Sequence, residues 1–286
     1  MSIKRALVLL ACLAVVPLLA YLLSANAAAQ SGARWRVFNQ HAPEAALQVA
    51  IGNFPGTASL HKLARNADIS SGADEDLWNV GGDYVFPDDA ETVQVVSTLA
   101  ADDGDPAGTG AHAILVTGLD ADYVLQNEVF VLNGTNAVTG TKLFLRVFSA
   151  SIVTAGANGT NIGAISAVNT ISGDDLFLLA AGKGLTTLGV YTVPANTTFL
   201  LTRVHGSILK KTSGAATIEF VVRPFGGAFL TLGYAGIHTN GTTWASVVYP
   251  VPVTFPEKTD IKMRASVTSA NTDITGGFDG YLVRGE

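Results

Sequence analysis

From residue 91 to the C-terminus, apolar and polar side chains alternate in short runs. Gly, Asn, Asp or Pro interrupts the runs about every ten to twelve residues. Neighbouring side chains on a strand point to opposite faces, so this alternation suits a sheet with one buried face. Runs at 92–97, 112–117, 124–132, 142–153 and 163–168 make a first set. Runs at 189–193, 198–209, 217–223, 228–234, 243–253, 261–266 and 278–283 make a second. After residue 60 no segment keeps a 3.6-residue period, which argues against a βαβ design. The pattern predicts an all-β chain of sandwich or jelly-roll domains.

The stretch Ile171-Ser172-Gly173-Asp174-Asp175 is dense in turn formers and lies between the two sets. It separates an expected β-sandwich over 81–170 from an expected sandwich or jelly roll over 176–286. Asn133-Gly134, closing the run at 124–132, is a strong hairpin signal because both residues tolerate positive φ. The first core is expected to hold Val93, Val95, Ile114, Val129, Val131, Leu145 and Val147. The second is expected to hold Val190, Leu200, Ile218, Phe220, Val222, Val248 and Ile261.

The N-terminal part differs. Lys4 and Arg5 precede an apolar run at 6–23, and Ala27-Ala28-Ala29 follows. Residues 1–30 are therefore either a cleaved secretory signal or a retained membrane anchor. Residues 31–80 read as an arm, with a short helix at 43–49 and loop-like signals after Gly52. The single cysteine, Cys12, lies in the apolar run, so the rest of the chain has neither a disulfide nor a cysteine metal site.

Charged residues make up 14% of the chain and the formal net charge is -6, so no nucleic-acid-binding surface is expected. Histidines stand at 41, 61, 112, 205 and 238 with no H-x-x-x-H or H-x-H pair, and there is no G-x-S-x-G elbow or P-loop. His61 or His205 would serve as a base only if folding brought a nucleophile beside it. No catalytic, cofactor or metal residue is assigned. Asp102-Asp103-Gly104-Asp105 is a candidate Ca²⁺ loop, with solvated turn residues the simpler reading. Asn133, Asn158, Asn196 and Asn240 head Asn-x-Thr sequons, three of them also Asn-Gly turns. Trp35, Trp78 and Trp244 are candidates for a sugar-stacking platform or, more simply, for core and interface anchors.

Several blocks carry a family resemblance. They are His61-Lys62-Leu63-Ala64-Arg65-Asn66-Ala67-Asp68, Trp78, Gly81-Gly82-Asp83-Tyr84-Val85-Phe86-Pro87 and Gly118-Leu119-Asp120-Ala121-Asp122-Tyr123. With them the chain resembles a widespread group of uncharacterised virion structural proteins in phages and aquatic viruses. That resemblance implies a structural role and transfers no catalytic residue. The expectation is a non-enzymatic spike, fibre or capsid-associated subunit at the virion surface. It would be a homo-oligomer, with three copies the expected count, and would contact other virion proteins. The charge-poor segment 221–234, with Phe225, Phe229 and Tyr234, is the expected contact region. The alternative is an exported bacterial adhesin or carbohydrate-binding module, secreted or at the cell surface, with a host-surface glycan as ligand.

Overall fold

The computed structural model describes residues 42–209 and 214–285. The expected signal or anchor over 1–30 lies outside these residues. Among the described residues no helix is long and apolar enough to cross a membrane. Helix α1 (Ala42–Ala50) belongs to a first unit that ends at Pro55. Pro43 stands in its first turn, where a missing N–H leaves no helical bond unmade.

Residues 56–286 form the second unit. Its first strands are β1 (Thr57–Ile69) and β2 (Asp74–Asp76). Seven follow: β3 (Glu91–Ser97), β4 (Ala111–Leu119), β5 (Leu125–Val131), β6 (Val138–Phe144), β7 (Arg146–Ala155), β8 (Ile165–Asn169) and β9 (Asp175–Leu179). The last are β10 (Val190–Thr192), β11 (Thr197–Ile208), β12 (Ala215–Arg223), β13 (Leu230–His238), β14 (Trp244–Phe255), β15 (Asp260–Val267) and β16 (Thr272–Arg284).

The outer strands form a jelly roll. Antiparallel ladders join β12 to β13, β11 to β14, β10 to β15 and β1 to β16. These nested pairs are one long hairpin wound over on itself. The winding leaves two facing sheets, ordered β1-β16-β11-β14 and β10-β15-β12-β13. Phe199, Phe220, Phe255, Ile261, Met263 and Phe278 lie in the core between them. Phe220 meets Phe278 across the sandwich edge-to-face, with centroids 5.4 Å apart. Each such buried side chain contributes about 1.5–3 kcal/mol.

The strands β3–β9 sit inside this roll's sequence as an insert. β2 and β10 occupy one position beside β15, opposite Arg264–Ser266 and Asp260–Lys262 respectively. At the join, Leu77 N donates to Met263 O (2.8 Å) and Met263 N donates to Gly189 O (2.9 Å). Gly189 N donates back to Leu77 O at 2.9 Å. The chain therefore leaves the roll at Leu77 and re-enters it at Gly189, beside the point of departure. A Cβ on Gly189 would lie 2.7 Å from Leu77 O and 2.8 Å from the Ala64 Cβ, so the stitch requires glycine. The insert is a four-on-three sandwich, β6-β3-β8-β9 against β5-β4-β7. Its core includes Val93, Ile114, Phe130, Phe144, Ile165 and Phe177.

The all-β expectation holds, and four local expectations are corrected. Residues 57–69 form an edge strand of the roll rather than loops of an arm. Lys62 and Asn66 hide the alternation there, because these inward positions bond Phe148 O of the insert and the Glu75 carboxylate of β2. The turn at 171–175 is not a boundary: it joins β8 to β9 in one sheet. The run at 142–153 is two strands, because Leu145 is a corner at which the chain switches sheets and Leu145 N donates to Leu119 O (2.8 Å). Asn133-Gly134 forms a turn, with Asn136 N bonded to Asn133 O (2.9 Å). It is not a hairpin turn, since β5 pairs with β4 while β6 pairs with β3.

Ten of the expected core residues are buried; Val129, Val131 and Val248 are exposed and Leu200 is half-buried. On β5 the inward position goes to Phe130, whose larger apolar surface gains more from burial and turns Val129 and Val131 outward. On β11 Phe199 and Leu201 take the core in the same way. Val248 lies on the outer edge strand β14. Val190 packs with the insert's core rather than the roll's.

Candidate functional site

The two histidines singled out as possible bases meet on the outer face of the roll. β16 runs between β1 and β11, and its Asp279 stands opposite His61 on one side and Arg203 on the other. His61 Nδ1 lies 2.9 Å from Asp279 Oδ1, and Arg203 Nε donates to Oδ2 at 2.7 Å. Burial alone would raise the Asp279 carboxyl; bonds from His61 and Arg203 outweigh it and hold the group below the usual carboxylate range. His205 lies across Gly277, where a Cβ would come within 2.8 Å of its ring. Burial lowers its pKa against the pull of Asp279, so the ring is neutral at neutral pH. Its Nδ1 is 3.9 Å from Asp279 Oδ2 and makes no hydrogen bond. Ser207, the nearest hydroxyl on β11, is bonded to Thr275 instead (2.7 Å). Nucleophilic catalysis needs a hydroxyl or thiol in hydrogen-bond reach of the base, and neither ring has one among the described residues. The cluster ties three strands together.

The acidic loop is turned inward. Asp102 is fully buried, and its Oδ1 accepts from the N–H groups of Ala111 (2.9 Å) and Ile162 (2.8 Å). Its Oδ2 accepts from Gly163 N–H (2.8 Å) and Ser97 Oγ (2.7 Å). Four donors from the chain itself occupy this carboxylate, so Asp102 is a buried loop organiser rather than a solvated turn residue. Among the described residues no group of three His, Cys, Asp or Glu side chains is arranged to hold a metal. Trp78 is buried in the insert's core and Trp244 is exposed on β14, so these two share no platform; Trp35 lies outside the described residues.

A crevice of about 190 Å³ opens where insert and roll meet. The insert contributes Tyr123 from the β4–β5 turn, Pro87, Asp88 and Arg146. The roll contributes Arg223, Phe225, Lys258 and Asp260. At its floor the buried Asp260 carboxylate bridges the two parts, with Arg146 Nε at 3.1 Å and Arg223 Nε at 3.0 Å. Thr192 donates its hydroxyl to the same group. Arg146 also donates to Leu145 O and Pro87 O, and its guanidinium lies over the Phe86 and Tyr123 rings. Nearby, the buried Lys62 of β1 donates its ammonium to Phe148 O of the insert at 2.7 Å. Burial pushes the Lys62 pKa down to about 7.

The third feature is the edge of the roll formed by β13 and β14, the outermost strands of the two facing sheets. Leu230, Leu232 and Tyr234 point outward at alternate positions of β13, and Trp244, Val247, Val248 and Val251 are exposed on β14. Phe225, in the turn before β13, is 65% exposed. The expected contact region 221–234 thus presents apolar surface, and the larger part of the patch comes from β14. Alternation at 243–253 suggested a half-buried strand and gave no sign that its apolar residues face out.

Fold and sites together define a jelly roll carrying an inserted β-sandwich, with a basic, aromatic crevice at the junction and an apolar edge. No family model matches the chain, and no curated protein matches it. Among solved structures it is similar to a crystal structure of the infectious bursal disease virus VP2 subviral particle, at 8% identity and a TM-score of 0.21. That alignment covers 80% of this chain and 73% of the other. A structure of the Gx strain of the same virus gives 8% identity and a TM-score of 0.22 over the same shares. With likenesses of this size, the fold assignment rests on strand order and pairing.

Proposed function

We propose that the chain is a non-enzymatic structural subunit of a virus particle, exposed at the particle surface, and that it self-associates through the β13–β14 edge. The observation that carries this reading is the apolar side chains along an edge whose backbone groups no further strand pairs among the described residues. Long apolar sheet edges promote association unless covered, and contiguous exposed apolar surface marks an interface. A closed symmetric assembly covers such an edge in every copy, and three copies is the count we expect. Support from architecture is by analogy: jelly rolls recur in viral capsid and lectin domains, and a fold hosts many functions. The sequence resemblance to virion structural proteins points the same way.

Two measurements test it. Light scattering on the chain freed of residues 1–30 is expected to give an oligomer that Leu232→Lys with Val251→Lys converts to a monomer. A wild-type monomer at tens of micromolar refutes self-association. Mass spectrometry of purified particles from the producing culture is expected to find the chain, and its absence from them refutes the virion role.

A further inference from the structure

Two residues of the junction crevice hold backbone conformations that their side chains disfavour. Tyr123 has φ 63° and Lys258 has φ 61°. The other non-glycine residues with positive φ among the described residues, Asn196 and Asn271, are of the type that tolerates it. A left-handed conformation is unfavourable for other residues, and it persists only where surrounding bonds impose it. They do so here. Asp120 Oδ1 accepts from the N–H groups of Asp122 and Val124 (both 2.9 Å), and Tyr123 N donates to Asp120 O (3.0 Å). Lys258 N donates to Val193 O (2.7 Å), and Thr259 Oγ1 donates to Pro256 O (2.8 Å).

These two turns and the turn before β13 bring three side chains together. Tyr123 and Phe225 stand perpendicular with centroids 5.9 Å apart. The Lys258 ammonium lies 5.3 Å from the first ring and 5.2 Å from the second. Among the described residues it has no carboxylate and no hydrogen-bond acceptor. Arg223 spends Nε and Nη2 on Asp260 and leaves Nη1 unengaged. Asp88, exposed at the rim, is the one carboxylate lining the crevice besides Asp260, which is already saturated. The crevice thus offers one cation without an anion, Lys258, and one uncommitted arginine nitrogen, Arg223 Nη1, beside an edge-to-face aromatic pair. Its volume equals that of about six liquid waters at about 30 Å³ each.

We infer that this crevice binds the carboxylate of an acidic sugar residue. The Lys258 ammonium and Arg223 Nη1 meet the carboxylate, and the apolar face of the ring rests against the edge-to-face Tyr123–Phe225 pair. The inference does not depend on self-association. The test is calorimetric titration of the full chain with D-glucuronate, D-glucose and inorganic phosphate. Glucuronate is expected to bind in the millimolar range, more weakly as salt is added, with glucose and phosphate at least about tenfold weaker. Lys258→Met and Lys258→Gly are each expected to weaken glucuronate binding at least about tenfold; the glycine variant relieves the positive φ and so guards against misfolding. No glucuronate binding by the wild type, phosphate binding as tight as glucuronate, or unchanged affinity in a folded Lys258→Gly chain would overturn it.

Discussion

Asp102→Ala is expected to be among the most damaging single substitutions in the insert. Its carboxylate gathers four donors from three segments: Ser97 at the end of β3, Ala111 at the start of β4, and Ile162 with Gly163 before β8. Hydrogen bonds to a charged acceptor contribute roughly 1.5–3 kcal/mol each. Bonds sharing one group do not add, so the loss is set at about 4 kcal/mol or more, with buried N–H groups left unpaired. Asp102→Asn keeps the shape and one accepting oxygen but turns an NH₂ toward two donors, and about half that loss is expected. Asp103→Ala is the control. Its Oδ1 accepts only from Asp105 N (2.9 Å), and a change within about 0.5 kcal/mol is expected. Urea unfolding followed by far-UV circular dichroism reads all three. With a slope of about 2 kcal/mol/M, the alanine variant unfolds about 2 M earlier than the wild type. The same midpoint for Asp102→Ala and Asp103→Ala would show that the carboxylate does not organise these loops.

Further outcomes follow from the same geometry. Because the folded chain releases the Lys62 proton near pH 7 while the unfolded chain holds it up to the ordinary lysine range, stability rises with pH from about 7 toward 10. Denaturant titrations across that range should show this rise, and Lys62→Met should flatten it; a flat wild-type profile argues against a neutral buried amine. Phe278→Ala, at the centre of the roll's core, is expected to cost about 3–5 kcal/mol, whereas exposed Val131→Thr stays within about 0.5 kcal/mol. Equal melting temperatures for the two variants would contradict the burial assigned here. Gly189→Ala should destabilise by about 1–3 kcal/mol through its clash with Leu77 O and Ala64, and Gly241→Ala, with nothing within 4 Å, should not.

Strand positions were legible because alternation is local: the runs at 198–209 and 261–266 are β11 and β15 within two residues. The face each strand buries was less legible. β5 carries Leu125, Val129 and Val131 on one side and only Phe130 as an apolar residue on the other, so a count of apolar residues favours the side that faces out. β1 was hidden for the opposite reason, since its inward positions include Lys62 and Asn66, which bond Phe148 O and the Glu75 carboxylate. Pairing was not legible. The partners of β2 and β10 lie far along the chain, and nothing between Leu77 and Gly189 announces that both ends return to one strand. The crevice shares this limit: Tyr123 and Lys258 belong to separate turns, Arg223 ends β12, and no spacing links them.

Leu77 and Gly189 sit side by side at the stitch, and this has a consequence for how such a chain diverges. Once folded, the insert presents its two ends to the roll as neighbours, so the roll sees a closed cassette rather than a long loop. Closure entropy grows only slowly with length, about 0.6 kcal/mol per doubling. The roll is therefore nearly indifferent to what the cassette contains, provided its ends meet and its underside keeps partners for Lys62 and Asp260. Relatives sharing this roll should differ most over 78–188 in length and content while retaining a glycine at the point of return. The insert can then be exchanged as a unit, without re-registering a single strand of the roll.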